Sequence, residues 1–166
     1  MNGLILRPYR RTDADALGDI FHRAIQDGAR RRYTSRQRDA WSPARPEGPL
    51  WDARLARVDT IVAEHEGRVL GFMALDLSVA YLDLAFVAPE AMGRGVAAAI
   101  YAVVEGRALA AGLAALETQA SRLSEPFFRR RGWTLIARQK VERRGVRIPN
   151  AQMVKTLNAA PMARAA

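Results

Sequence analysis

A turn of alternating small residues constrains this sequence more than any other feature. In the stretch Val87–Ala98, VAPEAMGRGVAA, the residues Gly93, Gly95 and Ala97 alternate between a predicted strand and a predicted helix. Small residues let backbone N–H groups approach a ligand, and several such groups at a helix N-terminus form a nest for phosphate oxygens. Arg94 adds a fixed positive charge. On this stretch alone, a phosphate-binding turn and a turn that only packs a helix on a sheet have equal support.

Two named phosphate motifs compete with this interpretation. A Walker loop is excluded because no G-x-x-x-x-G-K-S/T occurs in the chain. A Rossmann fingerprint is matched by Gly93, Gly95 and Ala98, with Glu117 lying 22 residues beyond Gly95. Against it, Pro89–Met92 separate the strand from the first glycine, and only one parallel crossover is readable. The dinucleotide interpretation therefore stays a minor alternative.

The hydrophobic periodicity predicts one α+β domain over residues 1–157 and a disordered tail over 158–166. The predicted strands cover residues 4–9, 59–64, 69–76, 81–87, 114–120, 134–141 and 152–157. The predicted helices cover 12–27 with a cap at Thr12, a short segment capped by Ser35, part of 51–58, 95–111 and 124–131. This order indicates a mostly antiparallel sheet of six or seven strands, with one parallel crossover through the helix at 95–111.

The strand at 81–87 is expected to be central because both of its faces are mostly apolar. Simple alternation places Leu82, Leu84 and Phe86 on one face. It places the other members of the strand, Tyr81, Asp83, Ala85 and Val87, on the opposite face.

Composition excludes several classes of function. The chain of 166 residues has no cysteine, so disulfide scaffolds, thiolate metal sites and cysteine nucleophiles are excluded. Its two histidines, His22 and His65, are expected on the surface, and no metal site is predicted. No apolar stretch is long enough to cross a membrane, so we expect a cytoplasmic protein. The net charge of +9 suggests nucleic acid, but the 24 arginines are scattered without interleaved aromatics, so a nucleic-acid partner is not expected.

Several segments together resemble the GNAT acetyltransferases, and within them a YafP-like branch of small bacterial proteins. The family signature, Gln or Arg followed by x-x-G-x-G/A, corresponds to Met92–Ala97 after the strand end Ala85–Val87. Further matching segments are Ala120–Trp133, the pattern Tyr33, Gln37, Ala40 and Trp41, the stretch Glu142–Val146, and Met153. The resemblance covers nearly the whole chain in the right order.

The resemblance implies the GNAT fold, in which helices cover both faces of the sheet and one parallel strand pair splays apart. It implies acetyl-CoA as co-substrate, with the pantetheine arm lying in the gap between the splayed strands. The implied cofactor-binding residues are Phe86, Val87, Met92, Gly93, Arg94, Gly95, Val96, Ala97, Ser121 and Phe128. Met92 departs from the usual Gln or Arg, which removes a side chain but not the backbone donors.

The implied reaction is direct attack of an amine on the thioester, for which a carboxylate near the gap is the natural base. Asp83 is the first candidate and Glu117 the second, although either carboxylate can instead pair with a surface arginine. Phe128 stands where many members have a proton-donating tyrosine, so Tyr81, Ser121 or water would have to replace it. Ser121 can also bind pantetheine or act as a local residue at the start of a helix.

Tyr33, Gln37 and Trp41 would line the acceptor pocket. The sequence thus predicts an N-acetyltransferase with a small-molecule amine as acceptor, acting as a monomer or homodimer without a membrane partner. A protein or peptide amine is the second acceptor class. The rival from another class is a catalytically silent CoA-binding or sensing module, and a nucleic-acid binder is third.

Overall fold

A computed structural model describes residues 3–157 and contains one seven-stranded mixed sheet. The strands are β1 (Ile5–Pro8), β2 (Asp59–His65), β3 (Arg68–Asp76), β4 (Tyr81–Val87), β5 (Ala115–Ser121), β6 (Thr134–Arg143) and β7 (Val146–Thr156). Their order across the sheet is β1-β2-β3-β4-β5-β7-β6, and only β4 and β5 pair in parallel. The predicted α+β class and the single parallel crossover are confirmed. A doubly wound dinucleotide fold, which needs several parallel neighbours, is excluded for the described residues. The predicted tail at 158–166 lies outside them.

Five α-helices pack around this sheet: α1 (Ala14–Arg23), α2 (Ser35–Trp41), α3 (Gly48–Ala56), α4 (Val96–Ala110) and α5 (Glu125–Arg129). Two neighbouring residues of β3 show that helices cover both faces, because successive side chains of a strand point in opposite directions. The Cα of Gly71 faces α4, where Ile100 would contact an added methyl group. Phe72 faces the other side and meets Trp51 of α3 edge-on.

The first helix differs from its prediction at both ends. A 3-10 turn, Arg11–Asp13, precedes α1, and a π-helical turn, Ala24–Gly28, follows it. The expected cap at Thr12 is wrong, because Asp13 is buried and accepts hydrogen bonds from the Arg10 backbone N–H and the Arg7 guanidinium.

Three other local predictions are corrected. Thr34, not Ser35, caps α2 by accepting a hydrogen bond from the backbone N–H of Gln37. His22 is half-buried and hydrogen-bonded to Ser42, not exposed. The segment between the strands predicted at 134–141 and 152–157 contains a tight hairpin turn at Arg144 and Gly145, both at positive φ, and β6 and β7 extend beyond their predicted ends.

Strands β4 and β5 pair at only one position. Tyr81 lies opposite Glu117, and the hydroxyl of Thr118 donates to the Leu82 carbonyl at 2.8 Å. No residue pair beyond this point is registered between the two strands. The expected splay is therefore present, and it opens toward the carboxyl end of β4.

A β-bulge in β4 changes which side chains share a face. Ala74 of β3 lies opposite Leu84, whereas the next residue, Leu75, lies opposite Leu82, which leaves Asp83 as the extra residue. Simple alternation is therefore wrong across this point. Leu82 turns away from the face of Leu84 and Phe86, and Asp83 joins that face.

Candidate active site

The turn before α4 presents a set of open backbone donors. Gly95 caps the helix in the left-handed conformation, with φ of 87°, and Gly93 also has positive φ. Within residues 3–157, the backbone N–H groups of Gly93, Gly95, Val96 and Ala97 have no hydrogen-bond acceptor. Such groups at the positive end of a 15-residue helix attract phosphate oxygens.

The space in front of these donors is open. A Cβ atom added to either Gly93 or Gly95 would meet no atom within 4 Å, so the glycines serve the backbone conformation and leave room for a ligand. Arg94 is exposed between them. Met92 points away from this space and lies against Gly28, where an added Cβ would come within 2.5 Å of its terminal methyl carbon.

A narrow cavity of about 40 Å³, called the slot here, leads from this turn into the splay. Its lining residues are Ala85, Phe86 and Val87 of β4, Ser121 at the end of β5, Leu123 and Ser124 after it, and Ala24, Ile25, Ala29, Trp41 and Met92. Both sides of the gap between the two strands therefore contribute to it.

Alternate residues of β4 direct their backbone N–H and C=O groups toward the slot. The N–H of Ala88 donates to the Leu70 carbonyl of β3, and the Phe86 carbonyl also faces β3. Because hydrogen-bonding pairs alternate along an antiparallel ladder, Ala85 and Val87 direct their N–H and C=O groups toward β5. Val87 thus occupies the position expected from sequence. Ala85 directs its backbone groups toward β5 where the sequence analysis expected Phe86 to do so. The ring of Phe86 lines the slot.

A main cavity of about 420 Å³ adjoins the slot. The two spaces share five lining residues, Trp41, Ala85, Phe86, Ser121 and Ser124. Aromatic side chains, Asp83, three arginines and the β6–β7 hairpin form the rest of its wall. The slot and the main cavity therefore adjoin, and Met92, which precedes Gly93, places the slot beside the start of the turn.

The two candidate bases are in different surroundings. Asp83 lines the main cavity, and Arg54 of α3 holds both carboxylate oxygens through hydrogen bonds of 2.8, 3.0 and 3.1 Å. A carboxylate has about four acceptor positions, so one position on Oδ1 remains open. Glu117 is exposed and does not line the cavity.

Two hydroxyl groups of the cavity differ in how they are engaged. Burial and the neighbouring Asp83 carboxylate raise the pKa of Tyr81, while the nearby Gln119 backbone N–H acts in the opposite direction. Tyr81 is therefore a neutral phenol at physiological pH. Tyr33 is buried, which raises its pKa, and its hydroxyl donates to the Pro149 carbonyl and accepts from the Arg122 N–H.

Ser121 and Ser124 form a reciprocal pair at the end of β5. The backbone N–H of each residue donates to the hydroxyl of the other, at 3.0 and 3.1 Å, and the two hydroxyls lie 3.0 Å apart. Ser121 thus organises the start of α5 and also faces both cavities. The sequence placed Ser124 at the start of a predicted helix but did not indicate that it lines the cavities.

The three residues expected around the acceptor divide into two groups. Tyr33 and Trp41 line the main cavity and meet edge-on, with ring centroids 5.5 Å apart. Gln37 is not among the lining residues, because its amide is used elsewhere. Its Oε1 accepts from the Thr34 N–H, and its Nε2 donates to the Arg147 carbonyl, which ties α2 to β7.

Phe128 has 1% of its surface exposed but still contributes to the wall of the main cavity. Its ring packs against Tyr101, Phe127 and Trp133. It lies one helical turn after Ser124, whose carbonyl accepts the Phe128 N–H. The site therefore has an aromatic surface where a tyrosine hydroxyl would otherwise be placed.

Two negative observations apply to residues 3–157. No group of three or more His, Asp or Glu side chains is arranged to hold a metal ion. None of the described helices combines the length and hydropathy needed to span a membrane.

Comparisons with known proteins agree with this geometry. The acetyltransferase (GNAT) domain family matches residues 32–157. The uncharacterized N-acetyltransferase YafP of Escherichia coli (strain K12) is 33% identical over 153 residues, or 92% of this chain and 96% of that protein. A solved GCN5-related N-acetyltransferase from Rhodopseudomonas palustris is 30% identical with a TM-score of 0.88, covering 95% of this chain and 98% of the other. The yncA protein of Salmonella typhimurium, solved with acetyl-CoA, shares the fold with a TM-score of 0.68 at 19% identity, covering 98% of this chain and 99% of the other.

Proposed function

Because the chain belongs to the GNAT acetyltransferase family, we propose that it transfers an acetyl group from acetyl-CoA to a primary amine of a small molecule by direct attack in a ternary complex. Acetyl-CoA is the co-substrate of this family. The observation that carries the proposal is the row of sites, called the path here, formed by the open N–H groups before α4, the slot beside the start of that turn and the adjoining main cavity. The cytoplasmic location and the oligomeric state stay predictions.

The residues along this path fit acetyl-CoA. The N–H groups of Gly93–Ala97 would hold the pyrophosphate, with Arg94 as an exposed counter-charge. The backbone groups of Ala85 and Val87 that face β5 would bind the amide groups of the pantetheine arm, as an added strand does at an open sheet edge. Ser121 and the Phe86 ring line the space next to them.

The proposed reaction forms one C–N bond and breaks one C–S bond. The lone pair of the neutral amine attacks the thioester carbonyl carbon, and the sulfur leaves with the electron pair of the C–S bond. An alkyl amine arrives as an ammonium ion at neutral pH, so it loses one proton before the attack and a second one afterwards. One of these protons is balanced by protonation of the thiolate, and the other goes to solvent.

Asp83 is the proposed base, acting directly or through one water. Asp83 lines the main cavity and keeps one acceptor position on Oδ1 unused, while Arg54 fixes the orientation of the carboxylate. Thiolate protonation is assigned to Tyr81, to Ser121 or to water. A coenzyme thiol resembles cysteine, with a pKa of about 8.5, so leaving unprotonated near neutral pH forgoes only about 1 to 2 kcal/mol.

A catalytically silent CoA-binding module is the second candidate. Two observations favour it: Phe128 has no hydroxyl to donate, and Arg54 already engages both oxygens of Asp83. Such a module would use the same turn and slot for binding, so binding alone does not separate it from an enzyme.

The experiment is thiol release from acetyl-CoA across a panel of small-molecule amines, with mass spectrometry of the acetylated products. A parallel panel of peptides with free amines tests the second acceptor class. Calorimetric titrations with acetyl-CoA, CoA and a random DNA duplex are the binding controls. The enzyme interpretation predicts both binding and turnover, whereas tight CoA binding without turnover of any amine would establish the silent module.

A further inference from the structure

We propose that the acceptor amine carries a carboxylate and that Arg143 binds this group at the hairpin end of the main cavity. The inference rests on the proposed function, because it names the substrate class of the same cavity. Four charged side chains line that cavity, namely Arg54, Arg143, Arg144 and Asp83. Three positive charges against one negative charge leave a positive wall, which favours an anionic ligand.

Arg143 is the arginine of this wall whose guanidinium is left without a partner in residues 3–157. Arg54 is engaged by Asp83, and Arg144 donates to the Ala40 carbonyl at 2.9 Å. The side chain of Arg143, an exposed residue, makes no hydrogen bond or ion pair within the described part of the chain, and its charge acts on the Tyr81 hydroxyl. A guanidinium at a cavity wall offers a planar pair of N–H donors that matches a carboxylate.

The pleat of the β6–β7 hairpin explains why Arg143 faces the cavity. Val141 and Arg143 alternate on one face of β6, and Ile148, the cross-strand partner of Val141, lies on the same face of β7. All three line the cavity. The neighbouring pair Glu142 and Arg147 therefore points to the opposite face. Arg147 is exposed and lies outside the cavity wall, so it provides a matched control on the same hairpin.

Apolar surfaces of the wall indicate the kind of group that joins the amine and the carboxylate of the acceptor. Phe21, Trp41 and Phe86 form an aromatic surface, and Val141 and Ile148 form an aliphatic surface. The amine must reach the opening of the slot, and the carboxylate must reach Arg143. The acceptor is therefore an amine whose aromatic or branched aliphatic body also carries a carboxylate.

The test uses ligands that differ only in this charge. Calorimetry on the CoA-saturated protein compares 3-phenylpropanoate with neutral 3-phenylpropanamide, neither of which can be acetylated. Thiol-release assays compare 4-(aminomethyl)benzoate with 4-(aminomethyl)benzamide as acceptors. Each measurement is made with wild type, Arg143→Gln and Arg147→Gln.

Wild type is expected to bind the carboxylate at least about tenfold more tightly than the carboxamide, as a charge-assisted hydrogen bond provides. Arg143→Gln should bring the two affinities within about twofold of each other, while Arg147→Gln keeps the preference, because only Arg143 donates to the carboxylate. Equal or undetectable binding of both ligands to wild type overturns the proposal. An equal loss of the preference for the carboxylate in Arg143→Gln and Arg147→Gln also overturns it. Absence of turnover with every amine overturns the proposed function instead, because the calorimetric comparison does not depend on acetyl transfer.

Discussion

Asp83 keeps one free acceptor position in the main cavity, whereas Glu117 lies outside it. We therefore expect Asp83→Asn to lower kcat/KM for acetyl transfer by about a hundredfold, the lower end for loss of a general base. Glu117→Gln should leave kcat/KM within about twofold of wild type, because a group outside the cavity cannot take the proton. The measurement is thiol release as a function of pH for both variants. The assignment of the base would be reversed if Asp83→Asn kept the kcat/KM and pH profile of wild type while kcat/KM of Glu117→Gln collapsed.

Phe128 permits a direct test of proton donation to the leaving thiolate. Phe128→Tyr adds a hydroxyl to a ring that forms part of the cavity wall, so kcat should rise modestly, by less than about a hundredfold. Phe127→Tyr is the matched control, since Phe127 stacks under Arg131 and lies outside both cavities. A kcat in Phe128→Tyr no higher than in Phe127→Tyr would show that thiolate protonation does not limit the reaction.

Residue types alone did not predict where the candidate side chains point. Gln37 between two aromatics indicated a pocket residue, yet a threonine three residues earlier made it part of a helix cap. Arg54 was missed because its partner Asp83 lies 29 residues along the chain, and no local pattern relates them. Pairings of this kind depend on tertiary packing, which a single sequence does not encode locally.

The turn before α4 is the element on which the proposed binding of acetyl-CoA depends. Gly93→Pro removes one backbone donor, and Gly95→Val places a β-branched residue at φ of 87°, so each should abolish acetyl-CoA binding. Arg94→Ala should only weaken binding, because the exposed side chain supplements the backbone donors. Gly106→Ala on α4 is the control, since an added Cβ there meets no atom within 4 Å and should leave affinity intact. Calorimetric titration with acetyl-CoA provides the measurement. If both turn variants bound acetyl-CoA with the affinity of wild type, the turn would not be the binding site.

Element order and most boundaries followed from the sequence, because hydrophobic period and turn residues act locally. The turn between the strands predicted at 59–64 and 69–76 lies at Glu66 and Gly67, both at positive φ. The bulge at Asp83 and the π-helical turn after α1 were not predicted, since each is one irregular turn inside a regular pattern. Of the two, the bulge bears on the proposed function, because it brings Asp83 onto the cavity face.

The acid stability of the whole molecule depends in part on Glu125. Burial works to raise the pKa of this carboxylate, but ion pairs with Arg138 and Arg129 outweigh burial and lower the pKa below its usual value of 4.5. A depressed folded-state pKa stabilises the protein above the unfolded-state value. This contribution is lost as the pH falls below about 4.5.

Glu125→Gln should therefore reduce the free energy of unfolding at pH 7 by about 1 to 3 kcal/mol, because it leaves Arg129 and Arg138 without their charged partner. The loss relative to wild type should shrink toward pH 3. Urea unfolding at both pH values, followed by tryptophan fluorescence, is the measurement, with the exposed Glu142→Gln as control. A deficit that stays constant between the two pH values would contradict the ion-pair explanation.

At the scale of the whole molecule, the order of strand and helix patterns together with one signature turn was enough to identify the sheet and its single parallel crossover. The splay was expected only through the family resemblance. Physically it depends on how β7 pairs along β5 from Ala115 to Ser121 while β4 leaves β5 after one position. How β5 divides its pairing between β4 and β7 depends on the assembled sheet and cannot be predicted from any one strand.

Direct acetyl transfer within a ternary complex can be tested by initial velocities of thiol release with acetyl-CoA and an active amine varied together. Such a transfer gives double-reciprocal lines that intersect, because both substrates must occupy the slot and main cavity before the C–N bond forms. Parallel lines, accompanied by an acetyl group attached to the protein after incubation with acetyl-CoA alone, would contradict it and would point to a covalent intermediate on the protein.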